Sequence, residues 1–154
     1  MEFSDEQLIG DEQMYMENIL DHSKHPHNAG TIPDAQLMHT EVNTSCGDTI
    51  GLYVKFAPAK GGSASHGDER VADVKFDGHG CAISQAAVSM LTDFIKGKTV
   101  DELKALTKED VFALLGMEVG MTRLRCALLG LKTLEVGLEQ HLKTSTPQNL
   151  NTSD

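Results

Sequence analysis

Two hydrophobic periodicities divide this chain and limit its fold more than any other feature. Between residues 37 and 56 the sequence shows strand-like pieces, with Val42 in the first half and a regular alternation of apolar side chains in the second. The alternating residues in the second half of that segment are Ile50, Leu52, Val54 and Phe56. A period of two is typical of strands that bury one face. We therefore predict two strands here, joined near Cys46-Gly47-Asp48, and a third over residues 71–76.

The remaining apolar residues recur mostly at helical spacing. Five segments show this: residues 11–23, the stretch between Cys81 and Gly97, two short stretches beginning at Thr99 and Thr107, and residues 122–142. Acidic residues follow both threonines, as in helix N-terminal caps. In the first segment the apolar positions are Met14, Ile19 and Leu20, and in the second the expected buried face is Ile83, Ala86, Ala87, Met90, Leu91, Phe94 and Ile95.

Because the predicted strands precede most of the helices, the order of elements favours an α+β fold. We predict a small antiparallel three-stranded sheet covered by helices on one side. No internal repeat or change of composition divides the chain, so residues 1–143 are expected to form a single domain and the polar residues 144–154 a flexible tail. The Gly/Ser-rich segment 57–70 is expected to be a mobile loop, to which we assign no function.

Composition and charge exclude several functions. Acidic residues number 23 against 13 Lys and Arg, and the formal net charge is −10. With no basic run to bind phosphates, nucleic acid is not an expected partner. Neither a signal peptide nor a membrane-spanning apolar stretch is evident, which indicates a cytoplasmic protein with no membrane partner. Three widely spaced cysteines do not form the disulfide framework of a small secreted domain.

The three cysteines have surroundings suited to ligands or nucleophiles. Cys46 and Asp48 flank a glycine and can project to the same side of a turn. Cys81 is placed at a helix N-terminus, where the helix dipole favours a thiolate. Cys126 follows Arg123 and Arg125, whose positive charges would offset the repulsion among such anions. From spacing alone, however, all three could be small buried hydrophobic residues.

Three local motifs contain these cysteines and favour ligands over small buried hydrophobic residues. They are Cys46-Gly47-Asp48-Thr49-Ile50, Phe76-Asp77-Gly78-His79-Gly80-Cys81-Ala82-Ile83-Ser84, and Arg123-Leu124-Arg125-Cys126-Ala127. The stretch from Tyr15 to Gly30 adds a fourth match. In order, residue type and spacing they resemble the IscU/SufU/NifU-N family of iron–sulfur cluster assembly proteins, over about residues 12–141. The resemblance implies the SufE/NifU-like version of the predicted fold.

The resemblance also implies a chemistry. It makes Cys46, Asp48, Cys81 and Cys126 the ligands of zinc or of a transient [2Fe–2S] cluster. The implied sulfur donor is a cysteine desulfurase, and the implied recipients are a downstream cluster carrier or apo-protein acceptors. In a zinc-dependent relay, a desulfurase histidine would replace one thiolate on the zinc. The family then points to Cys46 as the freed sulfur acceptor, assisted here by Arg123.

Two branches of the family leave two functions open. The IscU branch, a scaffold for the cluster, has a histidine directly before the third cysteine and a Leu-Pro-Pro-Val-Lys motif upstream. Here Arg125 and Gly120-Met121-Thr122-Arg123 stand in those places, which favours the SufU branch and its sulfur relay. The segment 82–125 nevertheless lacks the insertion usual in that branch. The choice between a sulfurtransferase-like relay and a non-enzymatic scaffold therefore stays open.

Four histidines are not expected to be metal ligands. His79 is close to Cys81 in sequence, but a solvated loop histidine is the favoured interpretation. His22, His25 and His27 form a histidine-rich tract, for which we expect a structural role. A purely structural zinc module is a third class of function, but the predicted sheet and helices contain enough apolar positions to fold without metal.

Overall fold

The computed structural model describes the backbone of residues 5–44, 47–57, 69–116 and 119–145, and the side chains of those segments apart from residues 5–13, 122, 144 and 145. The elements, in chain order, are α1 (Asp5–Lys24), β1 (Leu37–Asn43), β2 (Asp48–Ala57), β3 (Arg70–His79), α2 (Ala82–Ile95), α3 (Val100–Lys104), α4 (Lys108–Leu115) and α5 (Leu124–Ser145), with a 3-10 turn over Met121–Arg123 before α5. Strands therefore precede most helices, as predicted.

The three strands form an antiparallel sheet in the order β1-β2-β3. In this register Asn43 pairs with Asp48, and Thr49 pairs with His79. The third strand was predicted to end at residue 76, but it continues to His79 because its last residues still pair with the start of β2. One end of the sheet therefore gathers the β1–β2 turn and the junction between β3 and α2.

One face of the sheet carries the core. The four alternating residues of β2 are all buried, and β3 adds Val71, Val74 and Phe76 to the same face. Helices α2 and α5 pack against this face, and α1 packs on α2. Buried apolar residues from all of these elements belong to one cluster. The predicted α+β architecture with helices on one side of a three-stranded sheet is thus confirmed.

Thr99 and Thr107 each begin a short helix, as predicted. The Thr99 hydroxyl accepts from Glu102 N at 3.1 Å, and Glu102 Oε1 accepts from Thr99 N at 2.9 Å. Thr107 and Asp110 form the equivalent capping box. These reciprocal bonds satisfy amides that the first helical turn cannot bond internally.

Burial in α1 and α2 depends on which side of each helix meets the core, and one expectation, the burial of Phe94 in α2, was wrong. In α1, Ile19 is buried but Met14 and Leu20 are exposed, because the core receives only one stripe of this helix. In α2, Phe94 lies at the rim of the core and is 37% exposed, with Lys98 Nζ 4.3 Å from the centre of its ring. The other six residues predicted for the α2 face are buried or packed against the core.

The histidine-rich tract, at the end of α1 and in the loop that follows, makes hydrogen bonds to α2. His22 Nδ1 lies 2.7 Å from Ser89 Oγ, and the same oxygen accepts a hydrogen bond from His27 N at 2.8 Å. His27 Nδ1 and Asp93 Oδ2 are 2.5 Å apart. Burial and the neighbouring His27 ring lower the pKa of His22, although Asp93 and Asp21 act in the opposite direction. These contacts support the structural role predicted for the tract.

Other sequence predictions concern residues that the structure describes only in part. Segment 57–70 is described at its two ends, and residues 58–68 lie outside the described residues. The same is true of residues 146–154 in the predicted tail. The single domain of residues 1–143 and the flexibility of residues 144–154 stay predictions. In the described part of the chain, no helix is both long and apolar enough to traverse a membrane.

Candidate metal centre

Asp48 is the first residue of β2 and, among the described residues, the one buried acid, with 3% of its surface exposed. Its Oδ1 accepts a hydrogen bond from Cys81 N at 3.2 Å. Its Oδ2 is buried and has no hydrogen-bond partner among the described residues. A buried carboxylate oxygen without a donor is costly unless another group, such as a cation, compensates for it. The open oxygen is therefore a fitting ligand atom.

Cys81 is the N-cap of α2, with φ −74° and ψ 170°. Burial raises the pKa of the Cys81 thiol. Hydrogen bonds from the backbone and hydroxyl of Ser84, from the Cys126 thiol and from the backbone of Ile83 outweigh it, so the pKa lies below its ordinary value. A thiolate is the form that binds metals and attacks electrophiles.

Cys126 lies in the first turn of α5 and is 2% exposed. The side-chain amide of Asn43, at the end of β1, donates a hydrogen bond to its sulfur at 3.8 Å. Because helix α5 packs against β1 and α2, this sulfur is brought to the end of the sheet where β2 and α2 begin. The third cysteine thus faces the other two candidate ligands.

Asp48, Cys81 and Cys126 each present a ligand atom, and these atoms all lie within 4.8 Å of one another. Among the described residues, this is the one group of three or more histidine, cysteine or acidic side chains that approaches so closely. In a tetrahedral zinc site with bonds of about 2.0–2.3 Å, neighbouring ligand atoms are about 3.3–3.8 Å apart. Shifts of about 1 Å would close the described cluster around such an ion.

The predicted fourth ligand, Cys46, lies outside the described residues. Its neighbour Gly47 is described, with φ +75°, and Gly47 N donates to Asn43 O at 2.7 Å. A positive φ favours glycine because a side chain would clash with the backbone in this conformation. The glycine between Cys46 and Asp48 thus suits the turn that joins β1 to β2.

Gly80 was missed by the sequence analysis. A Cβ atom at this position would lie 2.3 Å from Ser84 Oγ and 2.9 Å from Asp48 Oδ1. Glycine is therefore needed for the carboxylate and the hydroxyl to pack beside the Cys81 backbone. The position of Gly80 directly before a helix-capping cysteine was the available signal. Asn43 and Ser84 were also missed.

The remaining predicted residues lie around the site. Arg123 is exposed in the 3-10 turn and lines a small apolar groove of about 330 Å³ with Leu20 and Ile83. Arg125 is exposed and lines a separate cavity of about 680 Å³ between β1, α4 and α5. His79 is exposed at the end of β3 and not in a loop as predicted, and it is absent from the close cluster.

Comparison with known proteins extends these findings. Residues 14–147 match the NifU-like N terminal domain. The scaffold protein IscU 1 of Archaeoglobus fulgidus is 37% identical over 103 residues, a match covering 67% of this chain and 61% of that protein. The zinc-dependent sulfurtransferase SufU of Bacillus subtilis is 34% identical over 142 residues, covering 81% of this chain and 89% of SufU.

A solved structure shows the same fold. FiSufU of Fervidobacterium islandicum, described as an iron–sulfur cluster assembly scaffold protein for the SUF system, superposes with a TM-score of 0.63. The two are 33% identical, and the match covers 79% of this chain and 94% of that one. The resemblance seen in the cysteine motifs is thereby confirmed, and the chain belongs to the family of the NifU-like N-terminal domain.

Proposed function

We propose that this protein works in iron–sulfur cluster assembly as a zinc-dependent sulfur acceptor that takes persulfide sulfur from a cysteine desulfurase. The observation that carries the proposal is the approach of Asp48, Cys81 and Cys126, together with a buried carboxylate oxygen that has no hydrogen-bond partner among the described residues. Similarity to a sulfurtransferase named as zinc-dependent supports it. We assign the fourth ligand position to Cys46, two residues before Asp48 in sequence.

The proposed ligands would hold the metal in a set of three thiolates and one carboxylate. Bound zinc would keep the thiols deprotonated at neutral pH and protect them from oxidation until the desulfurase docks. The Cys81 backbone amide orients Asp48 through Oδ1, and Gly80 leaves room for the carboxylate. Cys81 and Cys126 thus have fixed positions, and Cys46 would join them from the segment between β1 and β2 in sequence.

Sulfur transfer then follows as a thiol exchange. Bound zinc would keep Cys46 as a thiolate, and this thiolate, once a desulfurase histidine takes its place, would attack the outer sulfur of the desulfurase persulfide. A new bond joins Cys46 Sγ to that sulfur, and the bond between the outer sulfur and the desulfurase cysteine breaks. The desulfurase cysteine leaves as a thiolate, and Cys46 carries the persulfide. A cluster carrier or an apo-protein would be the next recipient, with no role for nucleic acid or membrane, in the cytoplasm.

A second candidate function is a scaffold for a [2Fe–2S] cluster, and the Asp48 carboxylate in the proposed ligand set favours it. Asp48 is a harder and weaker ligand than sulfur for the iron of a cluster, so a [2Fe–2S] cargo bound by the same four residues would be released readily. Similarity to proteins named as IscU scaffolds supports this alternative. Bound zinc would have opposite effects on the two functions. It would support a sulfur relay, whereas in a scaffold it would occupy the positions that iron and sulfide need.

That opposition provides the test of the proposal. With a cysteine desulfurase and cysteine, zinc-loaded protein is expected to accelerate turnover severalfold and to accumulate persulfide on Cys46, because ligand release produces a strong nucleophile. Metal-free protein is the matched control, and peptide mass spectrometry locates the added sulfur. Inhibition by zinc, with cluster formation only after its removal, would favour the scaffold. Zinc-loaded protein giving neither stimulation nor persulfide would overturn the relay.

Arg123 is expected to assist sulfur acceptance without holding the metal. Its exposed guanidinium lies on the groove beside the first turn of α2, and it cannot itself ligate a cation. Replacement by alanine should lower the persulfide yield about tenfold, a typical loss when an electrostatic contribution of about 1.4 kcal/mol disappears. Zinc affinity should change less than twofold.

Arg125→Ala is the matched control. It also removes one positive charge, two positions along the chain, but Arg125 lines the separate cavity between β1, α4 and α5 and not the groove at Arg123. Persulfide yield and zinc affinity would be measured on the parent and both variants. A yield from Arg123→Ala equal to that of the parent would show that this arginine is only a surface charge.

A further inference from the structure

Asn43 makes two contacts that the proposed chemistry does not yet use. Its side chain is buried, with 7% of the residue exposed, and its Nδ2 donates to Cys126 Sγ. Its backbone carbonyl accepts from Gly47 N and so closes the turn between β1 and β2. It also pairs with Asp48 across the sheet. One residue thus contacts both the third cysteine and the turn that supplies the first two candidate ligands.

Each described ligand of the candidate centre has a hydrogen-bond donor. Asp48 Oδ1 accepts a hydrogen bond from Cys81 N, and the Cys81 thiol accepts from Ser84. Cys126 Sγ accepts from the side-chain amide of Asn43. A donor directed at a thiolate stabilises negative charge on sulfur, orients the ligand and makes that sulfur a weaker nucleophile toward an electrophile. The amide at Cys126 comes from a buried side chain on a strand, so its position is fixed by the sheet.

We infer that Asn43 is a positioning residue that keeps Cys126 as a fixed ligand of the metal centre, so that ligand exchange during sulfur acceptance falls on another cysteine. The inference rests on the proposed function and specifies which thiolate stays bound. Asn43 acts through Cys126, to which its side-chain amide donates.

Asn43 also lines the cavity between β1, α4 and α5, so a shortened side chain would change packing as well as hydrogen bonding. Two variants of similar size avoid this difficulty. Asn43→Leu removes the donor, and Asn43→Asp replaces the donor with an anion facing the sulfur. Thr44→Ala is the control, because Thr44 lines the same cavity and is exposed at the adjacent position. None of these changes alters the backbone carbonyl that closes the turn.

The first readout is the cobalt(II)-substituted protein, whose sulfur-to-cobalt charge-transfer band reports the energy of the sulfur lone pairs. Loss of the hydrogen bond should shift this band to lower energy in Asn43→Leu and leave it unchanged in Thr44→Ala. Zinc affinity, measured by competition with a chelator, should fall about 10-fold in Asn43→Leu and about 100-fold in Asn43→Asp. With a desulfurase, persulfide should appear on Cys126 as well as Cys46 in Asn43→Leu.

Thermal unfolding of the metal-free variants separates folding from ligand positioning. If both folded variants keep the band energy of the parent and bind zinc within twofold of it, Asn43 is only a packing residue and the inference is wrong. If the parent itself binds no cobalt or zinc, the proposed function fails first, and the inference fails with it. A shifted band together with persulfide confined to Cys46 would overturn the part of the inference that concerns the choice of cysteine.

Discussion

Cys81→Ser is expected to abolish stoichiometric zinc binding while leaving the metal-free protein as stable as the parent or more so. The loss should exceed the roughly 10–100-fold that changes around a metal's ligands cause, because a ligand itself is removed. Stability should respond in the opposite sense. Cys81 occupies the N-cap of α2, where serine is among the preferred residues and would add about 0.5–1 kcal/mol.

This pair of outcomes separates a functional cysteine from a structural one. Zinc content and the free energy of unfolding would be measured on the same metal-free and metal-loaded samples. Cys81→Ala is the matched control, because it removes the sulfur without supplying a cap. A serine variant that keeps full zinc content, or one that loses both metal and fold, would contradict the role assigned to Cys81.

Asp48→Ala is expected to lengthen the lifetime of a reconstituted [2Fe–2S] cluster about tenfold or more, which corresponds to about 1.4 kcal/mol in the barrier to release. The carboxylate is the one oxygen ligand in the proposed set, and its removal takes the most labile bond out of the exchange path. The fold should survive. The lost hydrogen bond from Cys81 N would cost about 1 kcal/mol. Removing the buried Oδ2, which has no partner among the described residues, would offset part of that loss.

The decay of the visible absorption of the cluster under a chelator would measure this lifetime. Asp77→Ala is a suitable control, because that acid lies on β3 and bonds to Tyr53 on the face of the sheet away from the core. A cluster that decays faster in Asp48→Ala than in the parent would show that the carboxylate retains the cluster and does not release it.

Local patterns in the sequence predicted the elements that carry the candidate site. Alternation in β2 and the threonine caps depend on neighbours in the chain, so they could be recognised without a structure. Phe94 was assigned wrongly to a buried face, since burial depends on which helices pack against each other. The contact of Asn43 with Cys126 joins residues 83 positions apart, and no local pattern reports such a contact.

The site showed the same division. The cysteine motifs singled out Asp48, Cys81 and Cys126, which the fold brings together. Gly80 fits between Asp48 and Ser84 only because β2 and α2 begin at the same end of the sheet. The lack of space for a side chain at Gly80 results from tertiary packing and cannot be recognised from neighbouring residues in the sequence. Residues that support ligands from a distance in sequence were therefore the ones that sequence reasoning could not find.

X-ray absorption at the zinc edge, combined with elemental analysis of protein purified with reduced thiols, tests the proposed metal centre most directly. The proposed set of Cys46, Asp48, Cys81 and Cys126 predicts one zinc per chain, three sulfur atoms at about 2.3 Å and one oxygen atom at about 2.0–2.2 Å. Absence of stoichiometric metal, or a zinc shell that lacks three sulfur atoms, would contradict it.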